Sequence, residues 1–406
     1  MSTNDGWDAL FGRRTLGMRM GLAIVEGVHD AMGRPGASTP AVHLVGTNGK
    51  GSTAAMIEHG LRRHGLRTGL YTSPHLSRVG ERVRIDGQPV ADDRLRAHVD
   101  VVLSAEARAS LPRPLSFFEL LTLAALDLLA AAPLDGWVVE AGLGGRLDAT
   151  RVVDPKVVVV TSIGLDHQAI LGPTVAAIAA EKAAVMRPGV PTVSAPQTPE
   201  AAEVIEAFAR RVGSPLQWAE PRPRSPVGLP GEHQRINAGV ALAAGRVLLP
   251  ELTAEDLDGV RWPGRLEVLP WAGGTVILDV AHNPAGIEAV VEAVEQGVVP
   301  RPDRVLFGCQ ADKDGASMVE QLARVGVPCW WLSPDAQSPP PEAARSWPRR
   351  FDVEQTAQAL RAVADGLSDG GTVLVCGSHK LVAAVRDTTF GQVHRPDPQD
   401  PRPSPR

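Results

Sequence analysis

The sequence predicts an α/β protein whose parallel sheets are divided between two successive domains. Three observations support this prediction. The chain of 406 residues is long enough for two to three domains of ordinary size. Short β-branched runs alternate with helical segments, an order typical of parallel sheets that are covered by helices on both faces. The alternation is interrupted at Trp-Pro-Gly, residues 262–264, and then resumes, so we place the domain boundary there.

Composition and charge exclude several classes of protein. Hydrophobic residues make up 44% of the chain, which excludes disorder as its main state. A net charge of −5 and an aromatic content of 4% argue against nucleic acid or an acidic membrane as a partner. The longest apolar stretch, residues 120–132, is too short to cross a bilayer, and the polar N-terminus does not resemble a signal peptide. The three cysteines lack the spacing of a disulfide framework or zinc site, so we expect a cytoplasmic protein.

The first domain is predicted to begin with a strand, a glycine-rich loop and a helix. The apolar run Ala41–Val45 predicts the strand, and the helix is expected over residues 52–64, before Gly65. The segment Ser-Phe-Phe-Glu at 116–119 has the spacing of a capping box, so a second helix is expected to start there. The remaining predicted elements of this domain are strands at 67–72, 137–139 and 157–160 and a helix at 174–186.

Residues 1–263 are expected to form this first domain, and residues 264–390 a second, smaller α/β domain. The tail, residues 391–406, is rich in proline and charge and is predicted to be disordered. In the second domain we predict strands at 276–280, 304–307, 328–332 and 373–376, with amphipathic helices at 285–295 and 316–325.

The glycine-rich loop carries the features of a phosphate site. It consists of Gly46, Thr47, Asn48, Gly49, Lys50, Gly51 and Ser52. Glycines let backbone N–H groups surround phosphate oxygens, the helix N-terminus adds a positive dipole end, and Lys50 supplies a cation. The spacing departs from G-x-x-x-x-G-K-[ST] because Gly51 separates Lys50 from Ser52. A turn with an incidental lysine is the alternative, but the strand–loop–helix context favours phosphate binding.

Polar side chains follow the ends of several predicted strands, where α/β proteins place their ligands. Glu140 ends one strand, Asp166 and His167 follow another, and Ser73 precedes a proline-containing turn after a third. Carboxylate, hydroxyl and imidazole groups in such positions suit Mg²⁺, with histidine the less usual ligand. The ordinary alternatives are a salt-bridged strand end for Glu140, an ST-turn for Ser73 and a hydrogen-bonded polar role for His167.

Two further polar positions stand out. Lys182 lies among alanines in a predicted helix, a context in which a lysine is most often solvated. Asp279 follows an apolar strand of the second domain, and the residues after it read Val-Ala-His-Asn-Pro. Polar groups therefore also collect at a strand end in the second domain.

These segments closely resemble the folylpolyglutamate synthase/dihydrofolate synthase family of the Mur-ligase superfamily. The motifs occur in the family's order and cover the chain from about residue 16 to residue 386. They are residues 46–52, 72–75, 81–82, 116–119, 142–150, 165–167, 181–183, 233–238, 263–267, 279–284 and 312–314.

The resemblance implies a P-loop ATPase-like domain with a parallel sheet, followed by a smaller Rossmann-like domain, with the active site between them. It also implies ATP-dependent amide ligation. A substrate carboxylate takes the γ-phosphoryl group as an acyl phosphate, which the amino group of L-glutamate then attacks. The implied substrates are dihydropteroate and folates. We expect a bifunctional dihydrofolate synthase/folylpolyglutamate synthase that acts as a monomer, with a monofunctional folylpolyglutamate synthase as the alternative.

The resemblance assigns roles to individual residues. Lys50, Lys182 and His167 match catalytic positions, and Ser73, Glu140 and His167 match ligands of Mg²⁺. Lys182 matches a carbamylated lysine that would serve a second ion or orient the acyl phosphate. The positions that match ATP contacts are Thr47, Asn48, Gly49, Lys50, Gly51, Ser52, Asn237, Arg265, Asp279 and His282. The positions that match the pterin site are Ser116, Phe117, Phe118, Glu119, Leu147, Asp148 and Ala149.

Some positions depart from the family pattern. Arg151 stands where asparagine is usual, Val280 where glycine is common, Val79-Gly80 where an asparagine is typical, and Gly-Ser-His-Lys at 377–380 replaces Gly-Ser-Leu-Tyr.

Two other functions are alternatives to this family. A peptidoglycan Mur ligase would carry a nucleotide-sugar domain before the loop, where 45 residues are too few. A non-catalytic ATP-binding regulator should have lost Glu140, His167 or Lys182.

Overall fold

The computed structural model describes residues 5–16, 21–347, 350–367 and 370–391. Their contacts define two compact units. The first comprises described residues within Met1–Ile163, Leu171–Pro221 and Asn237–Leu257, and the second those within Gly164–Ile170, Arg222–Ile236 and Asp258–Arg406. The domain boundary at residues 263 and 264 stays a prediction. Three segments before it, residues 164–170, 222–236 and 258–263, group with the second unit. Apart from Gly391, the predicted disordered tail lies outside the described residues.

Two sheets form the centres of these units. The strands are β1 (Ala41–Val45), β2 (Thr68–Tyr71), β3 (Val83–Ile85), β4 (Gln88–Pro89), β5 (Gly136–Glu140), β6 (Pro155–Val160), β7 (Thr192–Ser194), β8 (Leu216–Trp218), β9 (Glu267–Trp271), β10 (Gly274–Leu278), β11 (Arg304–Phe307), β12 (Cys329–Ser333), β13 (Arg350–Asp352) and β14 (Thr372–Cys376). The eight-stranded sheet of the first unit has the order β4-β3-β2-β5-β1-β6-β7-β8, and the six-stranded sheet of the second has the order β13-β12-β11-β14-β10-β9.

Helices follow most strands. The α-helices are α1 (Asp5–Gly12), α2 (Leu22–Ala31), α3 (Lys50–Arg63), α4 (Asp92–Arg108), α5 (Phe117–Ala130), α6 (Gln168–Leu171), α7 (Val175–Ala183), α8 (Pro199–Val212), α9 (Glu232–Leu248), α10 (Pro284–Glu295), α11 (Gly315–Ala323), α12 (Thr356–Ala364) and α13 (His379–Phe390). No helix in the described part of the chain combines the length and the apolar character that a membrane crossing needs.

The central strands of the first sheet are buried on both faces. All residues of β1 and β5 are buried, and β1 pairs in parallel with β5 on one side and β6 on the other. One apolar cluster joins the sheet to α2, α4 and α5, and another joins it to α7 and α8. The sequence shows the reason, because continuous apolar runs such as 157–160 have no polar face to offer to water. The predicted α/β class is therefore confirmed.

The edges of both sheets depart from the parallel prediction. β3 pairs antiparallel with β2 and with β4, and β9 pairs antiparallel with β10. The hairpins turn at Asp86-Gly87 and Ala272-Gly273, where all four residues have positive φ angles. Two such residues make the tight turn that matches strand twist, and Asp-Gly is a known signal for it. The parallel prediction missed this signal.

Most predicted elements are close to the observed ones. Strand β11 has the predicted bounds, and α5 begins after Ser116 with the predicted capping box. Helix α7 ends at Ala183, three residues before the predicted end, because Ala184 caps it and Pro188 follows. The strand predicted over 276–280 ends at Leu278, where the backbone turns toward the Asp279 loop.

Candidate active site

The glycine-rich loop lies between β1 and α3 and bends at two glycines. Gly46 and Gly49 have φ angles of 152° and 88°, a backbone region that favours glycine. A Cβ atom on Gly46 would overlap the Thr161 hydroxyl, and one on Gly49 would overlap the Asn237 side chain. The loop backbone passes so close to these neighbours that both positions require glycine. Asn237, predicted to contact ATP, therefore lies directly beside the loop.

Backbone amides fix the loop and define its binding end. The amides of Thr47 and Asn48 donate to the carbonyl oxygen of Ser162, at 2.9 and 3.2 Å, and tie the loop to the chain that follows β6. The amides of residues 50–52 form the first turn of α3, where a helix offers no internal acceptor. The positive end of the helix dipole lies at the same place, so this end of the loop suits an anion.

Two lysines that are far apart in sequence converge on one loop carbonyl. Lys50 Nζ lies 3.1 Å from the carbonyl oxygen of Gly46 and 3.3 Å from that of Thr47. Lys182, on α7, is 4% exposed, and its Nζ lies 2.7 Å from the same Gly46 oxygen. Lys182 is therefore not a solvated surface residue. The nearest Glu140 oxygen lies 4.0 Å from Lys50 Nζ, so a carboxylate also borders the loop.

Glu140 and Ser73 meet at adjacent strand ends in the first unit. β2 and β5 run in parallel, which brings the residues after their carboxyl ends together. The backbone amide of Ser73 donates to Glu140 Oε2 at 3.1 Å, and Glu140 is only 3% exposed. Ser73 therefore contacts Glu140 through its backbone, and one carboxylate oxygen of Glu140 faces Lys50 while the other faces Ser73.

His167 lies in the second unit, in a cluster centred on Asp166. Lys313 Nζ lies 2.6 Å from Asp166 Oδ1, and the side-chain amide of Asn283 donates to Asp166 Oδ2 at 3.2 Å. His282 Nε2 is 3.6 Å from the same Oδ2. His167 adopts a positive φ of 50°, its amide donates to Asp166 Oδ1, and its Nε2 lies 3.5 Å from Lys313 Nζ.

Charge partners set the ionisation of this cluster. Burial would raise the pKa of Asp166, but hydrogen bonds from His282 and Lys313 hold it well below its usual range. Burial lowers the pKa of His167; Asp166 opposes that shift and Lys313 adds to it. The sequence did not predict Lys313 as a site residue, although residues 312–314 are among the motifs that resemble the family.

Within the described residues, no group of three or more His, Cys, Asp or Glu side chains is arranged to hold a metal ion.

The other predicted ATP contacts lie around Asp279 in the second unit. Its two oxygens accept from the amides of Leu266 and Ala281, each at 2.8 Å. Burial raises the pKa of Asp279, and the nearby Arg265 charge opposes that rise. Asp279 thus fixes the backbone beside Arg265, where Leu266 has a positive φ of 45°.

The predicted pterin helix, α5, begins with a fully formed capping box. The Ser116 amide donates to Glu119 Oε2 at 2.7 Å, and the Glu119 amide donates to the Ser116 hydroxyl at 3.4 Å. Arg113, which sequence reasoning missed, makes two hydrogen bonds of 2.8 Å to the Glu119 carboxylate. Burial would raise the pKa of Glu119, but these hydrogen bonds lower it. Glu119 is therefore held in its charged form by its own segment.

The two phenylalanines of this helix have different surroundings. The Phe118 ring lies 6.3 Å from the Tyr71 ring and so close to Gly142 that a Cβ there would overlap it. The half-buried Phe117 ring has the Arg82 guanidinium 5.6 Å from its centroid, a cation–π contact. A half-buried aromatic ring and a cation therefore stand at the start of the predicted pterin helix.

Asp148 is bonded to four donors of its own loop. Oδ2 accepts from the amides of Gly142 and Leu143, at 3.0 and 2.9 Å. Oδ1 accepts from the Thr150 amide and hydroxyl, at 2.9 and 2.6 Å. A carboxylate has about four lone-pair positions, so these donors fill them. The adjacent predicted pterin residues are Leu147, which is half-buried, and Ala149, which is buried.

Comparison with known proteins connects this arrangement to a family. Residues 264–379 match the family model of the Mur ligase, glutamate ligase domain. The chain is 32% identical to the folylpolyglutamate synthase of Lacticaseibacillus casei, over 89% of this chain and 92% of that protein. It is 35% identical to the dihydrofolate synthase/folylpolyglutamate synthase of Escherichia coli, over 85% of each. A solved structure of Escherichia coli FolC in complex with DHPP and ADP matches with a TM-score of 0.82 and 32% identity, covering 94% of this chain and 97% of that one.

The fold, the phosphate loop and the glutamate ligase domain define an ATP-dependent ligase of the Mur type. Within that class, the chain belongs to the folylpolyglutamate synthase/dihydrofolate synthase family, as its motifs predicted. The individual roles of the site residues remain predictions.

Proposed function

We propose that this protein adds L-glutamate to pterin carboxylates in two reactions. The first converts dihydropteroate to dihydrofolate, and the second extends the glutamate tail of reduced folates. Support comes from the Escherichia coli relative, whose name carries both activities, and from its structure with DHPP and ADP. Both reactions use the same acyl-phosphate step, so one ATP site can serve both.

The observation that carries the proposal is the convergence of Lys50 and Lys182 on the phosphate loop. A carboxylate is a poor electrophile, and ligation requires a phosphoryl group to be moved onto it. That transfer depends on positioning and on neutralising charge. Lys50 Nζ, held over the loop by the Gly46 and Thr47 carbonyls, is placed to neutralise an incoming phosphate. Glycine at positions 46 and 49 lets the loop pass close to Thr161 and Asn237, which fixes its backbone next to the first turn of α3.

The remaining residues of the first unit bind and orient. The first-turn amides of α3 would hold phosphate oxygens. The Phe118 ring offers a flat apolar wall for a pterin. Arg113 and Glu119 hold the start of α5 in place, so the wall keeps one orientation.

We propose that Mg²⁺ is required, with Glu140 as its carboxylate ligand. The fit is chemical, because Glu140 is a buried oxygen donor beside the phosphate loop and one of its oxygens faces Lys50. When bound, the ion neutralises phosphate charge.

Glu140→Gln tests this proposal, because it keeps the shape of the side chain and removes the negative charge. The rate of ligation should fall steeply and recover partly at high Mg²⁺. His167 stays a predicted ligand, tested by His167→Ala, and magnesium titrations that resemble the parent would make both residues structural.

We also propose that Lys182 is carbamylated in the active enzyme. Carbamylation adds CO₂ to the neutral amine and releases one proton. The nitrogen would then keep one N–H, which can still donate to Gly46, and the carbamate would add negative charge at this buried position. Enrichment with ¹³CO₂ should give a carbamate carbon signal in ¹³C NMR that Lys182→Ala lacks and Lys156→Ala, at an exposed lysine, retains. A parent enzyme without this signal at saturating CO₂ would contradict the carbamate.

One experiment tests the whole function. Purified protein with ATP, Mg²⁺ and glutamate is given dihydropteroate or tetrahydrofolate, and the products are weighed by mass spectrometry. We expect one added glutamate on dihydropteroate and one or more on tetrahydrofolate. Extension of tetrahydrofolate alone would make the enzyme a monofunctional folylpolyglutamate synthase, a name that the Lacticaseibacillus casei relative carries. ATP binding without phosphate release with either substrate would favour a regulator.

The monomeric state and the cytoplasmic setting also remain predictions. All three cysteines are free and buried, which agrees with a reducing compartment. Light scattering of the purified protein tests the monomer directly.

A further inference from the structure

A buried histidine in the centre of the first sheet has one side-chain hydrogen-bond partner. His43 lies in the middle of β1, opposite Val139 of β5 and Val158 of β6, and is fully buried. Its Nε2 lies 2.8 Å from the hydroxyl of Thr150, which is also fully buried. An apolar side chain would suit this strand position better, because desolvating an imidazole is costly.

The hydrogen-bond directions of this group follow from proton counting. The Thr150 hydroxyl has one proton, which it donates to Asp148 Oδ1 at 2.6 Å. The hydroxyl oxygen must therefore accept from His43, so His43 carries a proton on Nε2. Burial lowers the pKa of His43 to about 3, which agrees with a neutral ring. The other ring nitrogen, Nδ1, is buried without a hydrogen-bond partner among the described residues.

The relay ends on the loop that leads to the predicted pterin residues. Asp148 receives the Thr150 proton on one oxygen and holds the amides of Gly142 and Leu143 on the other. Gly142 in turn packs against the Phe118 ring. A chain of directed hydrogen bonds thus runs from β1, the strand that enters the phosphate loop, to residues 142–148.

We propose that His43, Thr150 and Asp148 form a positioning relay that holds the 142–148 loop in one conformation for pterin binding. The inference rests on the proposed function, because it takes the pterin to bind at this loop. His43 and Thr150 act through Asp148 and do not touch the substrate. An unpaired nitrogen and a buried hydroxyl cost stability, so the relay is explained by the loop that it fixes and not by packing.

Thr150→Val tests the relay, and Thr150→Ser is its matched control. Valine keeps the shape and removes the hydroxyl, whereas serine keeps the hydroxyl. With valine we expect the KM for dihydropteroate and for tetrahydrofolate to rise about tenfold or more, since a hydrogen bond to a charged group is lost. The KM for ATP should change by less than about twofold, because the side-chain hydrogen bonds of Thr150 go to His43 and Asp148. Amide exchange at Gly142 and Leu143 should become faster, and serine should restore both readouts.

A merely structural role predicts something different, namely a loss of thermal stability with the KM for ATP and for the pterin changed alike. An unchanged pterin KM in a folded Thr150→Val variant overturns the relay. If the valine variant does not fold, ¹⁵N NMR of the histidines in the parent protein decides. A proton on Nε2 of His43 from pH 5 to pH 8 is expected, and a proton on Nδ1 overturns the proposal. A parent enzyme that ligates glutamate to neither pterin defeats the proposed function instead, independently of these readouts.

Discussion

Lysine is used in opposite ways in the two units of the molecule. In the first unit, Lys50 donates to neutral carbonyl oxygens of the phosphate loop, and the nearest Glu140 oxygen stands 4.0 Å away, beyond hydrogen-bond distance. In the second, Lys313 lies 2.6 Å from Asp166, and both side chains are nearly buried. A lysine on neutral acceptors keeps its charge for an anionic ligand. A lysine on a buried carboxylate is already neutralised and serves to hold its neighbours.

The comparison separates function from stability. Removing Lys50 should remove charge that only the reaction uses, so the fold should be indifferent to it. Removing Lys313 should leave the buried Asp166 carboxylate without its closest cation, which the fold cannot tolerate easily. We expect the hydrogen-bond partner of a lysine, and not the residue type, to decide whether its removal lowers turnover or stability.

The largest expected effect is on turnover in Lys50→Ala. The rate of ATP-dependent ligation should fall about a thousandfold, or roughly 4 kcal/mol, because the phosphate cradle loses its cation. The thermal midpoint should stay within about 2 °C of the parent, since Glu140, the buried carboxylate 4.0 Å from Lys50 Nζ, keeps its hydrogen bond from the Ser73 amide. Lys156→Ala, at an exposed lysine on β6, is the control and should change neither property. Near-normal turnover in folded Lys50→Ala would remove the phosphate-loop assignment.

Lys313→Met should cost about 3 kcal/mol in the free energy of unfolding, measured with urea. The physical cause is the uncompensated Asp166 carboxylate. The double variant Asp166→Asn with Lys313→Met should recover part of that loss, because it leaves no buried charge. Equal losses of unfolding free energy in the single and double variants would mean that Lys313 and Asp166 have no coupling energy. That result would contradict the stabilising role of Lys313.

Arg13 and Glu106 form an ion pair in the first unit, so a carboxylate there also has a charged partner within the fold. Arg13 lies 2.6 Å from Glu106, which also accepts from the Leu115 amide at 2.6 Å. If a charged partner within the fold makes a residue serve stability, Glu106→Gln should cost about 2 kcal/mol of unfolding free energy and leave kcat unchanged. Loss of turnover without loss of stability would instead mean that location in the first unit, and not the partner, sets the role of a charged residue.

The smallest expected effect concerns an ion pair near the surface of the first unit. Burial would raise the pKa of Asp256, but hydrogen bonds from His64 and Thr253 lower it to about 2. A lowered carboxyl pKa stabilises the fold above the unfolded value, near 3.9, and this contribution is lost as the pH falls toward 2. Asp256→Asn should therefore cost about 0.5 kcal/mol at pH 7.

The cost of Asp256→Asn should shrink as the pH is lowered from about 5. Urea unfolding at pH 7, 5 and 3 measures this difference, with Arg34→Gln, at an exposed ion pair, as a control of little effect. A cost that grows on acidification would have the wrong sign for this ion pair.

Local sequence determined the elements and the phosphate loop. The apolar run of β1, the glycines after it and the start of α3 are all visible within about twenty consecutive residues. The same holds for the capping box of Ser116 and Glu119, which the structure forms as predicted. These features are decided by backbone preference and by contacts between near neighbours in the chain, and such contacts are visible in the sequence.

The site itself depended on the tertiary structure. Lys182 lies among alanines and reads as a surface residue, yet it reaches Gly46, 136 positions away. Lys313 lies 147 positions from Asp166, and His43 lies 107 positions from Thr150. No local pattern states which of these distant residues will meet, since that depends on the order of the strands in each sheet and on the burial that follows from it. Local preference chooses the elements, whereas long-range packing chooses which polar groups are buried together and therefore which can act together.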